Sequence, residues 1–340
     1  MSIIRVGIAG LGRMGAMHAQ NIAMGIPNAK ITAACSIVPA ELEFARNTLG
    51  VRDLFDDFDV MLEKADIDAV VIVTSTSLHA QQAIKALKAG KHVFVEKPMG
   101  VDVAECLEIE KITHQNPDKV FMMGFMRRYD PSYVYAKKKI EEGSIGKPYL
   151  VKATGIDPIT AVPKVLEMEK YSSGLFVAMG VHDVDLIQWY LGSRCKTVFA
   201  TGGNYAFPAF GDYNDVEVGC ALYELENGTM GTLHTGRTAV HGYHIETEIV
   251  GTEGSIRISP VPQKNLAMIY NRDGVTLECV AEFRERFQQA FMAEMVEFFN
   301  CIESGRKPEL RAEDGTSSTR VVLATKESFL KKQIVTIQHT

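Results

Sequence analysis

An apolar run, Ile3 to Ala9, leads directly into Gly10-Leu11-Gly12-Arg13-Met14-Gly15, and a helical stretch over residues 14–25 comes at once after it. The spacing G-x-G-x-x-G after a strand and at the head of a helix constrains the fold more than anything else in the chain. The first glycine permits the tight turn. The second lets backbone approach a pyrophosphate, and the third lets helix and strand pack closely, with the helix N-terminus facing the anion. The bland alternative is a glycine-rich strand-to-helix turn that binds nothing. Placed at residue 10 after a clean strand, the pattern predicts a dinucleotide site, with Gly10, Gly12, Arg13, Met14 and Gly15 on the cofactor.

From residue 26 to residue 124 the chain alternates strand and helix. Strands are expected at Ala29–Cys35, Asp68–Thr74, Val93–Val95 and Phe121–Gly124; helices at Pro39–Leu49, Leu78–Ala89 and Val103–Thr113. That rhythm predicts a parallel, doubly wound α/β sheet of the Rossmann type. Near residue 125 the pattern changes. Helices are expected at Ser132–Glu142, 181–191, Phe291–Ser304 and Ala324–Lys332, and a strand at Gly146–Thr154. Strand-like segments then fill Thr197–Ile258, separated by turns such as Glu226-Asn227-Gly228. Strands without intervening helices predict a mostly antiparallel open sheet of five or six strands in an α+β domain. The expected division is an NAD(P)-binding domain over 1–123 and a second domain over 124–340, to which the family resemblance drawn below assigns substrate binding and oligomerisation, with the last helices free to pack back on the first.

Composition narrows the partners. The 340 residues carry a net charge of −6 with both signs interspersed, and no basic run or basic amphipathic face points to nucleic acid or a membrane surface. No apolar run reaches the roughly 18 residues of a membrane span. The start MSIIRVGIAG enters a strand without a targeting segment, so a cytoplasmic protein is expected. The six cysteines form no CxxC or zinc spacing and are read as reduced thiols. His241 and His244 are three apart without an obvious third ligand, so no metal is expected.

The end of the second strand should carry an acid for the adenine ribose. Here it reads Ala34-Cys35-Ser36-Ile37, with no acid before Glu41. Ser36 can bond a ribose hydroxyl but repels nothing, and Arg13 lies close enough in sequence to meet a 2′-phosphate. NAD and NADP both stay open, with NAD favoured because no arginine follows Ser36.

Two further residues carry chemistry. His92–Gly100, HVFVEKPMG, puts Lys97 beside Pro98 at the carboxyl end of a strand, where ligands bind in open α/β sheets. A lysine there can polarise a substrate hydroxyl, although solvated lysines at strand ends are common; Glu96 can pair with it or touch the cofactor ribose. His182, in Gly180-Val181-His182-Asp183, opens a helix. A secondary alcohol that loses hydride also loses a proton, and an imidazole of pKa about 6.5 suits that step, although a helix-start histidine is more often structural.

Together these residues resemble the Gfo/Idh/MocA oxidoreductases over nearly the whole chain. GLGRMGAMH (10–18) is similar to the family's nucleotide turn and its following histidine, and Thr74–Ala80 to its T-p-x-x-x-H-a segment. Glu96-Lys97-Pro98 matches the family's most characteristic tripeptide. Met126-Arg127-Arg128-Tyr129-Asp130-Pro131 resembles the inositol-dehydrogenase branch, and Gly174–Asp185 the start of its catalytic helix.

The resemblance implies a homotetramer that oxidises a cyclic polyol, myo- or scyllo-inositol, with NAD. Lys97 and His182 would be catalytic. Arg127, Asp157 and Tyr243 would hold substrate, and Thr74, Ser75, His79, Ser36, Glu96 and Lys97 would join the glycine turn on the cofactor. Three segments depart from the pattern. Ala178 stands where the family has an aspartate paired with the histidine; Ile156-Asp157-Pro158 keeps the Asp of R-D-P and loses its Arg; and His241-Gly242-Tyr243-His244-Ile245-Glu246 keeps only Gly242 and Tyr243 of Y-G-Y-D-x-R. A sugar or amino-sugar dehydrogenase, and a cofactor-binding sensor with little turnover, are the competing readings.

Overall fold

Strand β1 (Ile4–Ala9) is buried on both faces, with Val6, Ile8 and Ala9 fully enclosed. That is what a central strand of a parallel sheet covered by helices requires. The computed structural model describes residues 3–168, 173–259 and 262–339. After β1 come α1 (Arg13–Gly25), β2 (Ala29–Cys35), α2 (Pro39–Asn47), β3 (Asp53–Phe55), α3 (Phe58–Lys64) and β4 (Ala69–Ile72). Then come α4 (Thr76–Lys88), β5 (His92–Val95), α5 (Val103–Gln115) and β6 (Phe121–Met123). The six strands are parallel, in the order β3-β2-β1-β4-β5-β6. The order reverses between β1 and β4, which opens a crevice at the carboxyl ends of those strands.

The pairing of β3 and the helix α3 go unmarked in the sequence pattern. β3 is three residues long and only partly buried, too short for a period to show. Asp57 caps α3 by accepting from Val60 N–H at 2.9 Å.

The chain continues through α6 (Pro131–Glu141), β7 (Pro148–Pro158), α7 (Val162–Met168), α8 (Leu175–Ala178), α9 (Gly180–Leu191), β8 (Cys195–Gly203) and β9 (Val218–Leu225). Next are β10 (Met230–Ala239), β11 (His244–Gly251), β12 (Ser255–Ile258), β13 (Gln263–Asn271) and β14 (Gly274–Cys279). The chain ends with α10 (Phe283–Ser304), α11 (Ala312–Lys331) and β15 (Val335–Thr336). A seven-stranded sheet forms in the order β12-β11-β7-β10-β9-β8-β15, and β13 and β14 pair separately.

The sheet is larger than the expected five or six strands. Two-residue β15 adds an edge that no periodicity announces, and β7 runs parallel to β10 while the other pairs are antiparallel. Burial alternates along β9 and β11, so one face packs while the other stays open. The packed face meets α8 and α9 closely: a Cβ on Gly231 would lie 2.5 Å from the Ile187 side chain, and one on Gly219 2.4 Å from the Phe176 ring.

Two compact units result, Met1–Tyr129 with Gln289–Thr319, and Asp130–Gln288 with Arg320–Thr340. The single cut at 123/124 read from sequence thus becomes three crossings. One falls beside the kink of α10 at Phe287 and another inside α11. Met295, Phe298, Phe299 and Cys301 of α10 join the core of the parallel sheet with Val6, Ile8 and Phe94. Each such side chain contributes about 1.5–3 kcal/mol by leaving water. No helix among the described residues is long and apolar enough to cross a membrane. All six cysteines are free thiols, and burial pushes the Cys106 thiol up to about 12.

Candidate functional site

In the first unit the glycine turn sits at the carboxyl end of β1, against the end of β4. Gly10 has φ +82°, and a Cβ there would lie 2.5 Å from Val73 O; a Cβ on Gly15 would lie 2.0 Å from Gly10 O. Both positions are closed to any other residue by backbone, not by movable side chains. Gly12 differs. A Cβ there meets only Glu41 Oε1, at 3.5 Å, so packing within the fold does not require its lack of a side chain. Gly12→Ala should therefore fold normally and bind NADH at least ~10-fold more weakly, because the methyl group occupies the line of approach of the pyrophosphate. Titration of NADH fluorescence checks this, and an unchanged affinity would remove the turn from the site.

The turn after β5 is tied down from three directions. Glu96 Oε1 lies 2.7 Å from His18 Nε2 on α1, and its Oε2 accepts from Lys97 N–H at 3.0 Å. Glu96 N–H donates to Ile72 O at 2.9 Å. The Lys97–Pro98 bond is cis. His79, on α4, places Nδ1 2.8 Å from Pro98 O and Nε2 3.0 Å from Thr74 O, which joins this turn to the end of β4. Thr74 Oγ1 donates to Gln82 at 2.6 Å. Ser75 stands as the residue before α4, and Lys97 itself is half-buried. Arg127 follows β6 in a single helical turn, Met126–Tyr129, and is buried; its neighbour Arg128 pairs with Asp314 at 3.1 Å.

Behind Glu96 lies a residue that the sequence reading missed. Glu294, on the buried face of α10, is fully enclosed. His18, Glu96 and Glu294 bring ligand atoms within 4.8 Å of one another, a grouping with the donor set for a cation. Burial, then the charge of Glu96, push the Glu294 carboxyl well above its ordinary value, so it holds a proton. Burial also acts to raise Glu96, but the His18 hydrogen bond, with the charges of His18 and Lys97, outweighs it and keeps that carboxyl low. The electrostatics thus give one ionised and one protonated carboxyl, as two neighbouring buried acids that repel one another require. The signal was available: Glu294 falls on the stripe of Phe291, Met295 and Phe298 at helical spacing.

A second missed residue is Glu41, in the first turn of α2. Its Oε2 accepts from Leu11 N–H at 3.0 Å and from Ser36 Oγ at 2.6 Å. The glycine turn, Ser36 and the carboxylate therefore form one connected group.

In the second unit, His182 and Asp183 lie in the first turn of α9 and are buried, as is Asp185 one turn on. Asp215 fixes where α8 begins: it accepts from Leu175 N–H at 3.0 Å and pairs with Arg237 at 3.2 Å. Ala178 ends α8, four residues before His182. Asp157 lies at the end of β7. Because His244 pairs with Ile156, Tyr243 and Asp157 fall at the same level of neighbouring strands. Tyr243 is buried against the rings of Phe283 and Phe287. His241 and His244 touch at 3.1 Å. Glu246 comes within 3.6 Å of His244 but is held by Arg257, so a nearby carboxylate exists where none was expected.

Known proteins bear on this geometry. The family model described as the oxidoreductase family, NAD-binding Rossmann fold, of Gfo/Idh/MocA proteins matches residues 4–125, and the GFO/IDH/MocA C-terminal domain matches residues 133–257. The chain belongs to the Gfo/Idh/MocA oxidoreductase family. Its parallel-sheet unit therefore carries an NAD-binding Rossmann fold. The chain is 33% identical over 327 residues to the scyllo-inositol 2-dehydrogenase (NAD(+)) of Bacillus subtilis, covering 96% of this chain and 94% of that one. It is 30% identical to the myo-inositol 2-dehydrogenase of Thermotoga maritima, covering 98% and 99%. The structure of scyllo-inositol dehydrogenase from Lactobacillus casei, with bound NAD(H) and scyllo-inositol, superposes with a TM-score of 0.96 at 44% identity, covering 98% of this chain and 99% of that one.

Proposed function

We propose that this Gfo/Idh/MocA oxidoreductase oxidises one secondary hydroxyl of an inositol to the ketone and passes the hydride to NAD. The observation that carries the reading is the pinned Glu96-Lys97 turn at the carboxyl end of β5, in a sheet whose glycine turn suits NAD. The cofactor supplies a hydride acceptor at nicotinamide C4. Lys97 donates a hydrogen bond to the reacting oxygen and stabilises its developing negative charge, and His182 takes the hydroxyl proton. Arg127, Asp157 and Tyr243 bind the remaining hydroxyls. Gly10, Gly12, Arg13, Met14, Gly15, Ser36, Thr74, Ser75, His79 and Glu96 hold the cofactor.

Inositol is favoured over sugars by the named activities of the relatives at 33% and 30% identity. A cytoplasmic homotetramer completes the reading. The open face of the large sheet supports self-association: Phe199 and Leu222 pair across β8 and β9 with both side chains exposed, and Met230 lies exposed on β10.

A panel of scyllo-inositol, myo-inositol, glucose and an amino sugar, followed by NADH absorbance, tests the activity. The expected result is a kcat/KM for one inositol at least ~10-fold above either sugar. Turnover of sugars alone would make it a sugar dehydrogenase. Cofactor binding without turnover of anything, the outcome that Ala178 favours, would make it a sensor. Light scattering on the same preparation should give the mass of four chains, and a monomer would remove the assembly from the reading.

A further inference from the structure

The end of β2 poses a question of cofactor choice. An acid at that strand end accepts a hydrogen bond from the adenine ribose and repels a 2′-phosphate. β2 ends at Cys35, and the next residue is Ser36, which is uncharged. Ser36 Oγ is already committed on both sides: it accepts from Val38 N–H at 3.1 Å and donates to Glu41 Oε2 at 2.6 Å. The same carboxylate oxygen takes Leu11 N–H at 3.0 Å, from inside the glycine turn thirty residues earlier. Glu41 Oε1 lies over Gly12, at 3.5 Å from where a Cβ would stand. Among the described residues, none donates to Oε1. One oxygen thus anchors the carboxylate to the strand end and the turn, and the other lies over Gly12 at the mouth of the glycine turn.

We propose that Glu41, reaching back from the first turn of α2, is the acid that selects NAD and rejects NADP in this chain. The inference rests on the NAD-binding reading of the glycine turn and goes beyond it by naming the residue and the direction of selection. A first-turn acid is also favoured by the helix dipole. The dipole alone, however, does not require bonds to Ser36 and to Leu11 N–H, and these two bonds hold the charge at the ribose position. A ribose 2′-hydroxyl donates to Oε1. A 2′-phosphate there would bring about two negative charges against the carboxylate. Arg13, exposed at the head of α1, is the cation that such a phosphate would otherwise meet.

The test measures binding of NADH and NADPH by calorimetry with no polyol present, so that a failed substrate assignment leaves the result readable. Wild type is expected to bind NADH ~100-fold or more tightly than NADPH. Glu41→Gln keeps the shape and removes the charge. It should tighten NADPH at least ~10-fold and weaken NADH by a few-fold, since the amide oxygen stays with Leu11 N–H and the NH2 left facing the ribose donates instead of accepting. Adding Arg13→Gln to that variant should reverse most of the NADPH gain. Ser36→Ala keeps the charge and loosens its anchor, so it should move the NADH-to-NADPH ratio less than Glu41→Gln. The proposal is overturned if wild type binds both cofactors alike or if Glu41→Gln leaves their ratio unchanged. It is equally overturned if Glu41→Gln weakens both cofactors by the same factor, which would make Glu41 only a brace for the turn.

Discussion

Lys97→Met should lower kcat for the inositol by about 10³-fold and leave NADH affinity within about threefold of wild type. Methionine keeps the length and most of the volume of the lysine stem and removes only the ammonium. The backbone around it should persist, because the turn is held by Glu96 through His18 and the Lys97 N–H, and by His79 through Pro98 O. On the proposed mechanism, what disappears is a charged donor to an oxygen that gains negative charge as hydride departs. Removing one such donor costs about 10²–10³ in kcat in well-studied sites, and the lost full charge sets the expectation at the upper end. A lysine that was merely solvated at a strand end would show no loss. A lysine that served only the cofactor would show its effect in NADH binding, so the split between kcat and binding decides the role. Lys97→Arg should recover little, since the planar guanidinium presents its donors differently from a compact ammonium.

The legibility of this chain follows the length and regularity of its patterns. The glycine turn, β1 and the Glu96-Lys97-Pro98 strand end could be read because each joins a strong local period to residues with narrow backbone or chemical uses. β15, two residues long, could not, because it gains its identity only by pairing with β8. Helix α11 was expected from Ala324 and starts at Ala312. The segment Gly315-Thr316-Ser317-Ser318-Thr319 has the composition of a loop, yet its small side chains let the helix approach closely. A Cβ on Gly315 would lie 3.0 Å from Met123 Cε, and Thr316, Ser318 and Thr319 are buried.

The site was legible to the same degree. Contiguous motifs could be singled out from the sequence alone. Glu41 and Glu294 were missed because their meaning depends on partners far away in sequence, Leu11 for the first, His18 and Glu96 for the second.

Ala178→Asp should raise kcat/KM for the inositol by about tenfold or more at mildly alkaline pH, and should do so only when His182 is present. A general base contributes about 10²–10⁴-fold, and part of that depends on a partner that fixes the imidazole tautomer and stabilises its cation. Ala178 stands at the end of α8, four residues ahead of His182 in the first turn of α9, with only Met179 between the two helices, at φ −104° and ψ −48°. That near-continuous helical path puts the two positions about one turn apart, the spacing at which side chains meet. Asp215 and Arg237 already hold the start of α8 in place, so the substitution asks for no new backbone. Ala178 is half-buried, which leaves a new carboxylate room to stay hydrated on one side. His182→Gln alone should lower kcat by about 10²–10⁴-fold. In the double variant the gain from the aspartate should vanish, and that non-additivity separates action through His182 from a general change in packing. A neighbouring carboxylate favours the imidazolium, so the acidic limb of the kcat/KM profile should also move to higher pH. If turnover stays flat across pH, His182 is already oriented by an acid present in the wild-type chain, with Asp157 the first to replace. Asp157→Asn would then produce the loss in kcat that the missing family aspartate did not.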